Sequence, residues 1–298
     1  MALSPSLDPA VLTALNDLEL VARATVDGTL SGLHSSPFHG YSAEFSQYRH
    51  YRQGDDLKYI DWKLFARTDR LYTKQFRETT NATVQIVLDA SRSMAFAGAN
   101  GVSKIAYGRL VAAALAHLTA GQGDAVGLVV HDDAIRQYLP GRTGQTHLRA
   151  VLTALTRTDS ARGTAAAASL RRAVDLMPRR GLLIAISDFY DDGEAVESEL
   201  RRAVHIGHDL AMFQVLTREE LDFPYDRDVE LEDLETGRTV LTGAAARGHY
   251  RREFADFLER WHERCAKYRI DYTRILTDQP LDIALRGYLI RRAGGHPS

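Results

Sequence analysis

The sequence predicts an α/β fold, a mostly parallel β-sheet with helices on both faces, and three observations carry that expectation. Apolar runs of strand length recur at 83–88, 125–130, 181–186, 210–216 and 270–276. Stretches of helical period separate or follow them at 103–120, 145–157, 164–176, 194–205, 244–267 and 281–292. The run Leu182-Leu183-Ile184-Ala185-Ile186 is apolar at every position, as in a strand covered on both faces. Strands that alternate with helices in this way build parallel sheets, because each helix carries the chain back to start the next strand.

Taken in order, the chain first shows Val11, Leu12, Leu15, Leu18, Val21 and Ala22 at helical spacing. This predicts a helix over 8–25, capped by Asp8, with Pro9 in its first turn and Gly28 at its end. Residues 33–77 change character, with aromatics, arginines and turn formers; Ser35-Ser36-Pro37 and Gln53-Gly54-Asp55-Asp56 read as loops. Ile135–Leu139 is expected as a short antiparallel strand after the turn at His131-Asp132-Asp133. Residues 222–243 hold seven acids against two arginines. There Glu235-Thr236-Gly237-Arg238 separates two short β-patterned runs, which predicts an inserted hairpin. The expected division is 1–78 for the N-terminal helix and extended segment packing on the core, 79–292 for the α/β unit with its insert at 222–243, and 293–298 for a tail.

Composition narrows the function classes. Of 298 residues, 45% are hydrophobic and 26% charged, the balance of an ordinary globular chain. A net charge of -2 gives no general pull toward nucleic acid or anionic membrane. Cys265 is the single cysteine, so no intrachain disulfide can form. The first twenty residues lack the pattern of a secretory leader, and no apolar run reaches the ~18 residues of a membrane span. A cytoplasmic location without direct membrane insertion is the expectation.

The strongest chemical signal follows the first core strand, where Val84-Gln85-Ile86-Val87-Leu88 runs into Asp89-Ala90-Ser91-Arg92-Ser93. One carboxylate and two hydroxyls at alternate positions can turn three hard oxygens toward one point, which suits Mg2+, or Mn2+ or Ca2+. Ser187-Asp188 closes the buried strand 182–186, so Asp188 is expected on the same rim as Asp89. Arg162-Gly163-Thr164 offers a hydroxyl where a helix begins. The alternative for the two serines and for Thr164 is the capping of backbone donors at helix starts. Arg92, between the serines, points outward and is a candidate partner contact.

Other chemistry finds little support. There is no GxxxxGK[ST] phosphate loop, no GxSxG nucleophile elbow and no HExxH. His131, His205 and His208 read as loop or edge histidines, and Cys265 as a buried thiol. In 40–77, basic residues interleave with aromatics, but Glu44, Asp55, Asp56, Asp61, Asp69 and Glu78 offset the charge. Arginine-carboxylate pairs and buried aromatics are therefore expected to clamp this segment, with Asp61-Trp62 and Arg67 at the clamp.

The order DxSxS, Gly-Thr, Asp resembles the metal-ion-dependent adhesion site of von Willebrand factor type A domains over roughly 80–292. The resemblance implies a Rossmann-like sheet and a metal contacted, directly or through water, by Asp89, Ser91, Ser93, Thr164 and Asp188. Gly40-Tyr41-Ser42-Ala43-Glu44-Phe45, Arg49-His50-Tyr51-Arg52-Gln53-Gly54-Asp55-Asp56, Ile60-Asp61-Trp62-Lys63 and Ala66-Arg67-Thr68 resemble the signature of the bacterial domain-of-unknown-function 58 family. Asp233-Leu234-Glu235-Thr236-Gly237 extends that similarity. The adhesion-type constellation points to a metal-dependent adaptor for a protein partner that offers an Asp or Glu to the ion, and the family resemblance implies a MoxR-type AAA ATPase or its client as that partner. The alternative is a metal-dependent hydrolase such as a phosphoesterase, with Asp188, Asp191 and Asp192 as further oxygens or a base.

Overall fold

Aliphatic side chains of the core strands alternate strictly between two buried layers, and this alternation fixes how the helices are placed. Val84, Ile86 and Leu88 enter one layer with Ile184, Ile186, Phe213 and Val215. Val87, Leu183, Ala185 and Met212 enter the other. A period of two therefore demands cover on both faces.

The computed structural model describes residues 8–14, 17–30, 43–51, 60–78, 82–160, 163, 165–177, 180–190, 193–225, 227, 229–232, 234, 239–242 and 244–293. Its N-terminal elements are α1 (Pro9–Ala14), α2 (Leu18–Leu30), β1 (Ala43–His50), α3 (Trp62–Thr68) and β2 (Tyr72–Glu78). The core follows as β3 (Thr83–Asp89), α4 (Lys104–Gly121), β4 (Ala125–His131), β5 (Ile135–Arg142), α5 (Gln145–Thr156), α6 (Ala166–Asp175), β6 (Leu182–Ser187), α7 (Gly193–His205) and β7 (Asp209–Leu216). The chain ends with α8 (Arg218–Asp222), β8 (Val229–Glu232), β9 (Thr239–Thr242), α9 (Ala244–Lys267), β10 (Asp271–Leu276) and α10 (Leu281–Ala293).

Among the described residues the main sheet has six strands in the order β10-β7-β6-β3-β4-β5. All neighbours are parallel except β4 and β5. The expected α/β class, with its antiparallel strand after 131, is the one formed. Residues of α1, α2, α4, α5 and α10 line one layer, and residues of α6, α7 and α9 the other. At Gly108 a Cβ would stand 3.2 Å from a Leu88 methyl, so this glycine lets α4 lie close against β3. Two further sheets of two antiparallel strands are separate from the main sheet, β1 with β2 and β8 with β9.

The order places a switch point between β3 and β6. From β3 the chain moves outward one way to β4 and β5, then returns to β6 and moves the other way to β7 and β10. Loops leaving β3 and β6 therefore diverge and open a crevice at their carboxyl ends, the place where doubly wound sheets bind ligands. Asp89 and Asp188 stand there.

Several expectations are corrected. The N-terminal helix is two helices: Asp8 accepts from Ala10 N at 2.8 Å, and Asp17 caps the second by accepting from Leu20 N at 3.0 Å. Gly28 does not end α2, which continues to Leu30 with Val26 and Thr29 buried. Packing outweighs the ~1 kcal/mol that a helical glycine costs relative to alanine. Within the described parts of 43–78 the chain forms β1, α3 and β2. Trp62 is no buried clamp: it is 59% exposed and meets Phe65 edge-on. Asp61 caps α3 by accepting from Leu64 N at 3.0 Å, and Arg67 is exposed. The helix expected from 164 begins at Ala166. The loop at 53–56 and the turn at 235–238 lie outside the described residues.

Candidate metal and partner site

β3 delivers Asp89 to the crevice with only 2% of its surface exposed. Its two oxygens are already directed. Oδ1 accepts from Ser91 N at 2.8 Å, which curls the chain out of the strand, and Oδ2 accepts from Ser187 Oγ at 2.6 Å across the switch point. The short 3-10 turn Arg92–Ala95 then brings Ser93 back toward Ser91, with their hydroxyls 3.2 Å apart. Ser91 stands at the N-cap of this turn, but its side chain makes no capping hydrogen bond. The capping role open to that serine from sequence is therefore not the one it takes.

Burial is the main influence that holds the Asp89 carboxyl above its ordinary range, and the charge of Asp188 adds to it. His131 and the bonds from Ser187 and Ser91 pull the other way. His131 is itself buried at the end of β4, directly beside Asp89 in the sheet. A carboxylate so placed ionises at a cost that a bound cation would remove.

The donor set fits a small divalent ion. Adjacent ligands on a magnesium ion bonded at ~2.1 Å lie roughly 3.0 Å apart, close to the observed spacing of the two hydroxyls. Asp89, Ser91 and Ser93 would hold it. Among the described residues no group of three or more His, Cys, Asp or Glu side chains could form a site of another kind.

The other side of the crevice is built differently. Asp188, 2% exposed, turns Oδ2 to the Lys104 ammonium at 2.7 Å. The same ammonium meets Glu220 Oε1 at 2.6 Å. Glu220 is fixed by a capping box at the start of α8: its Oε2 accepts from Thr217 N at 2.7 Å, and Thr217 Oγ1 accepts from Glu220 N. The rings of Tyr190 and Phe96 cover Lys104, their centroids 4.7 and 5.9 Å from Nζ. Burial works against the lysine's charge, but Asp188 and Glu220 outweigh it and hold the group above its ordinary value. Gln214 Nε2 donates to Asp188 O at 3.0 Å, and Tyr272 donates to Gln214 Oε1, anchoring the loop to β7 and β10.

Phe189 takes a left-handed conformation at φ 57°, rare for a bulky side chain. Its ring packs on Trp261 at 5.4 Å, and Trp261 Nε1 donates to its carbonyl at 3.3 Å. Backbone strain of this kind costs ~1–3 kcal/mol and is held by such surroundings at functional loops.

Of the residues singled out from sequence, the structure gathers Asp89, Ser91, Ser93 and Asp188 at the crevice. Thr164 lies outside the described residues, as do Asp191 and Asp192. Its neighbour Ala165 donates from N to Asp132 O at 2.9 Å, which brings that loop beside the end of β4. Arg92 is exposed, and its Nη1 donates to Leu234 O of the inserted hairpin at 3.4 Å. Lys104, Glu220 and His131 were not foreseen as parts of the site. One signal was available: Lys104 is the only charged residue between Arg92 and Arg109.

A family model described as protein of unknown function DUF58 matches residues 47–263. The chain belongs to this family. Uncharacterized protein Rv1480 of Mycobacterium tuberculosis and uncharacterized protein Mb1516 of Mycobacterium bovis are each 32% identical to this DUF58 protein over 236 residues. Each match covers 77% of this chain and 73% of the relative. Similar solved structures include an aerotolerance-related membrane protein from Bacteroides fragilis, 16% identical, with a TM-score of 0.49 over 72% of this chain and 100% of that one. BatB from Bacteroides thetaiotaomicron is 17% identical, with a TM-score of 0.47 and the same coverage. The VWA domain of SpRpn10 is 12% identical, with a TM-score of 0.39 over 68% of this chain and 93% of that one. Among the described residues of the DUF58 chain, no helix is long and apolar enough to cross a membrane.

Proposed function

We propose that this DUF58 protein is a metal-dependent protein-interaction module. The observation that carries the proposal is the buried Asp89 carboxylate combined with the paired hydroxyls of Ser91 and Ser93 at the switch point of the sheet. Mg2+, or Mn2+ or Ca2+, binds there, with Thr164 and Asp188 contributing directly or through water. With so few carboxylates against it the ion keeps excess positive charge, and an Asp or Glu of a partner protein takes the remaining position. Arg92, exposed on the same loop, borders that contact. The family resemblance suggests a MoxR-type AAA ATPase or its client as the partner.

The test is a pull-down of a MoxR-type ATPase by the full chain with Mg2+, with chelator, and with Asp89→Ala. Recovery that requires both the metal and Asp89 is expected. Equal recovery in all three arms would overturn metal-dependent recruitment. Phosphoester turnover by the Mn2+-loaded protein that Asp89→Ala abolishes would replace the module with a hydrolase.

A further inference from the structure

Resting on the metal site proposed above, we infer that Lys104 is an internal competitor of the metal: its ammonium holds Asp188, so the ion stays short of negative charge until an acidic group of a partner joins it. Three features point to this role rather than to a contact with the partner or a stabiliser of the helix.

Lys104 is 1% exposed, so it cannot meet another protein directly. It is also the first residue of α4, after the N-cap Ser103. A cation there opposes the helix dipole, so helix stability does not account for it. Finally, the lysine is divided between two acids of different standing. Glu220 is locked by the capping box of α8, whereas Asp188 stands at the crevice that holds Asp89. Lys104 therefore has a fixed second acceptor whatever happens at Asp188.

The consequence is a site in which metal and partner bind together. While the lysine holds Asp188, the ion receives the full charge of Asp89 alone. A partner carboxylate adds what is missing, and by linkage the ion raises affinity for that carboxylate by the same factor. Without the lysine, Asp188 would turn to the ion and the site would fill without a partner.

Calorimetric titration of Mn2+ alone into the full chain tests the inference. Lys104→Met is expected to bind Mn2+ at least tenfold more tightly than wild type, and the gain should vanish when Asp188→Asn is added, since it requires the released carboxylate. Glu220→Gln leaves the lysine to Asp188 alone and should bind at least threefold more weakly, which keeps the test open if Lys104→Met does not fold. Folded Lys104→Met with unchanged or weaker affinity, a gain that survives Asp188→Asn, or Glu220→Gln binding as wild type would each overturn the competition. Absence of Mn2+ binding in wild type and every variant would instead remove the metal site itself.

Discussion

Two carboxylates end two adjacent parallel strands, equally buried and both at the switch point, yet their surroundings differ in kind. Asp89 is met by the Ser91 N–H and the Ser187 hydroxyl, and the hydroxyls of Ser91 and Ser93 pair with each other on the loop that follows. Asp188 also accepts a backbone N–H, from Tyr190, but its other oxygen meets a lysine that also bonds Glu220. The contrast teaches how a fold can place two like charges a strand apart. One is paired with a lysine of the chain, and the other accepts hydrogen bonds from neutral donors. A buried ion pair is costly to break, and a buried carboxylate held by neutral donors ionises at a cost that a cation would remove.

If that division is right, the two sides respond oppositely to substitution. The largest stability effect is expected from Lys104→Met, which leaves Asp188 and Glu220 without their cation and should cost about 3–5 kcal/mol in urea unfolding. Asp89→Asn should stay within ~1 kcal/mol of wild type without metal, because it removes a charge that burial disfavours. Comparable losses in the two variants would erase the distinction.

Metal should sharpen it. Mn2+ at a hundred times its dissociation constant is expected to stabilise wild type by about 2.7 kcal/mol, read as a shift of the urea midpoint, and to leave Asp89→Asn unmoved. Ser91→Ala should retain folding but lose part of that shift, about 1 kcal/mol, as one ligand of several disappears. A full shift in Ser91→Ala would place the ion elsewhere.

The smallest effect is expected at Cys265, outside the proposed metal site, as a control on what burial does to an ionisable group. Burial pushes the Cys265 thiol up to about 12 from an ordinary value of 9.0. Below pH 9 the thiol is neutral in both states; above it the unfolded chain ionises first, so stability falls as pH rises from 9 toward 12. The loss at pH 10 should be on the order of 1 kcal/mol in wild type and absent from Cys265→Ala, measured by urea unfolding at pH 8 and 10.

Much of this was legible in the sequence, for physical reasons that also mark the boundary. The core strands were visible because apolar runs such as Leu182-Leu183-Ile184-Ala185-Ile186 have no other use in a folded chain. Asp89, Ser91 and Ser93 were visible because their spacing is local. The pairing of β1 with β2 was not, since a register shift between Phe45 and Gln47 breaks the alternation that announces a strand. Nor was the partner of Asp188, because Lys104 and Glu220 stand 84 residues before it and 32 after it (188 − 104 and 220 − 188) and only the sheet order brings them together. Thr217-Arg218-Glu219-Glu220 has the pattern of a capping box, but no local pattern tells that its glutamate also holds a lysine.

Whether Asp89 binds a metal is the central question. Titration of Mn2+ into the purified full chain, followed by calorimetry for wild type and Asp89→Asn, should give saturable binding of one ion to wild type and none to the variant. Equal binding by both, or none by wild type, would contradict it.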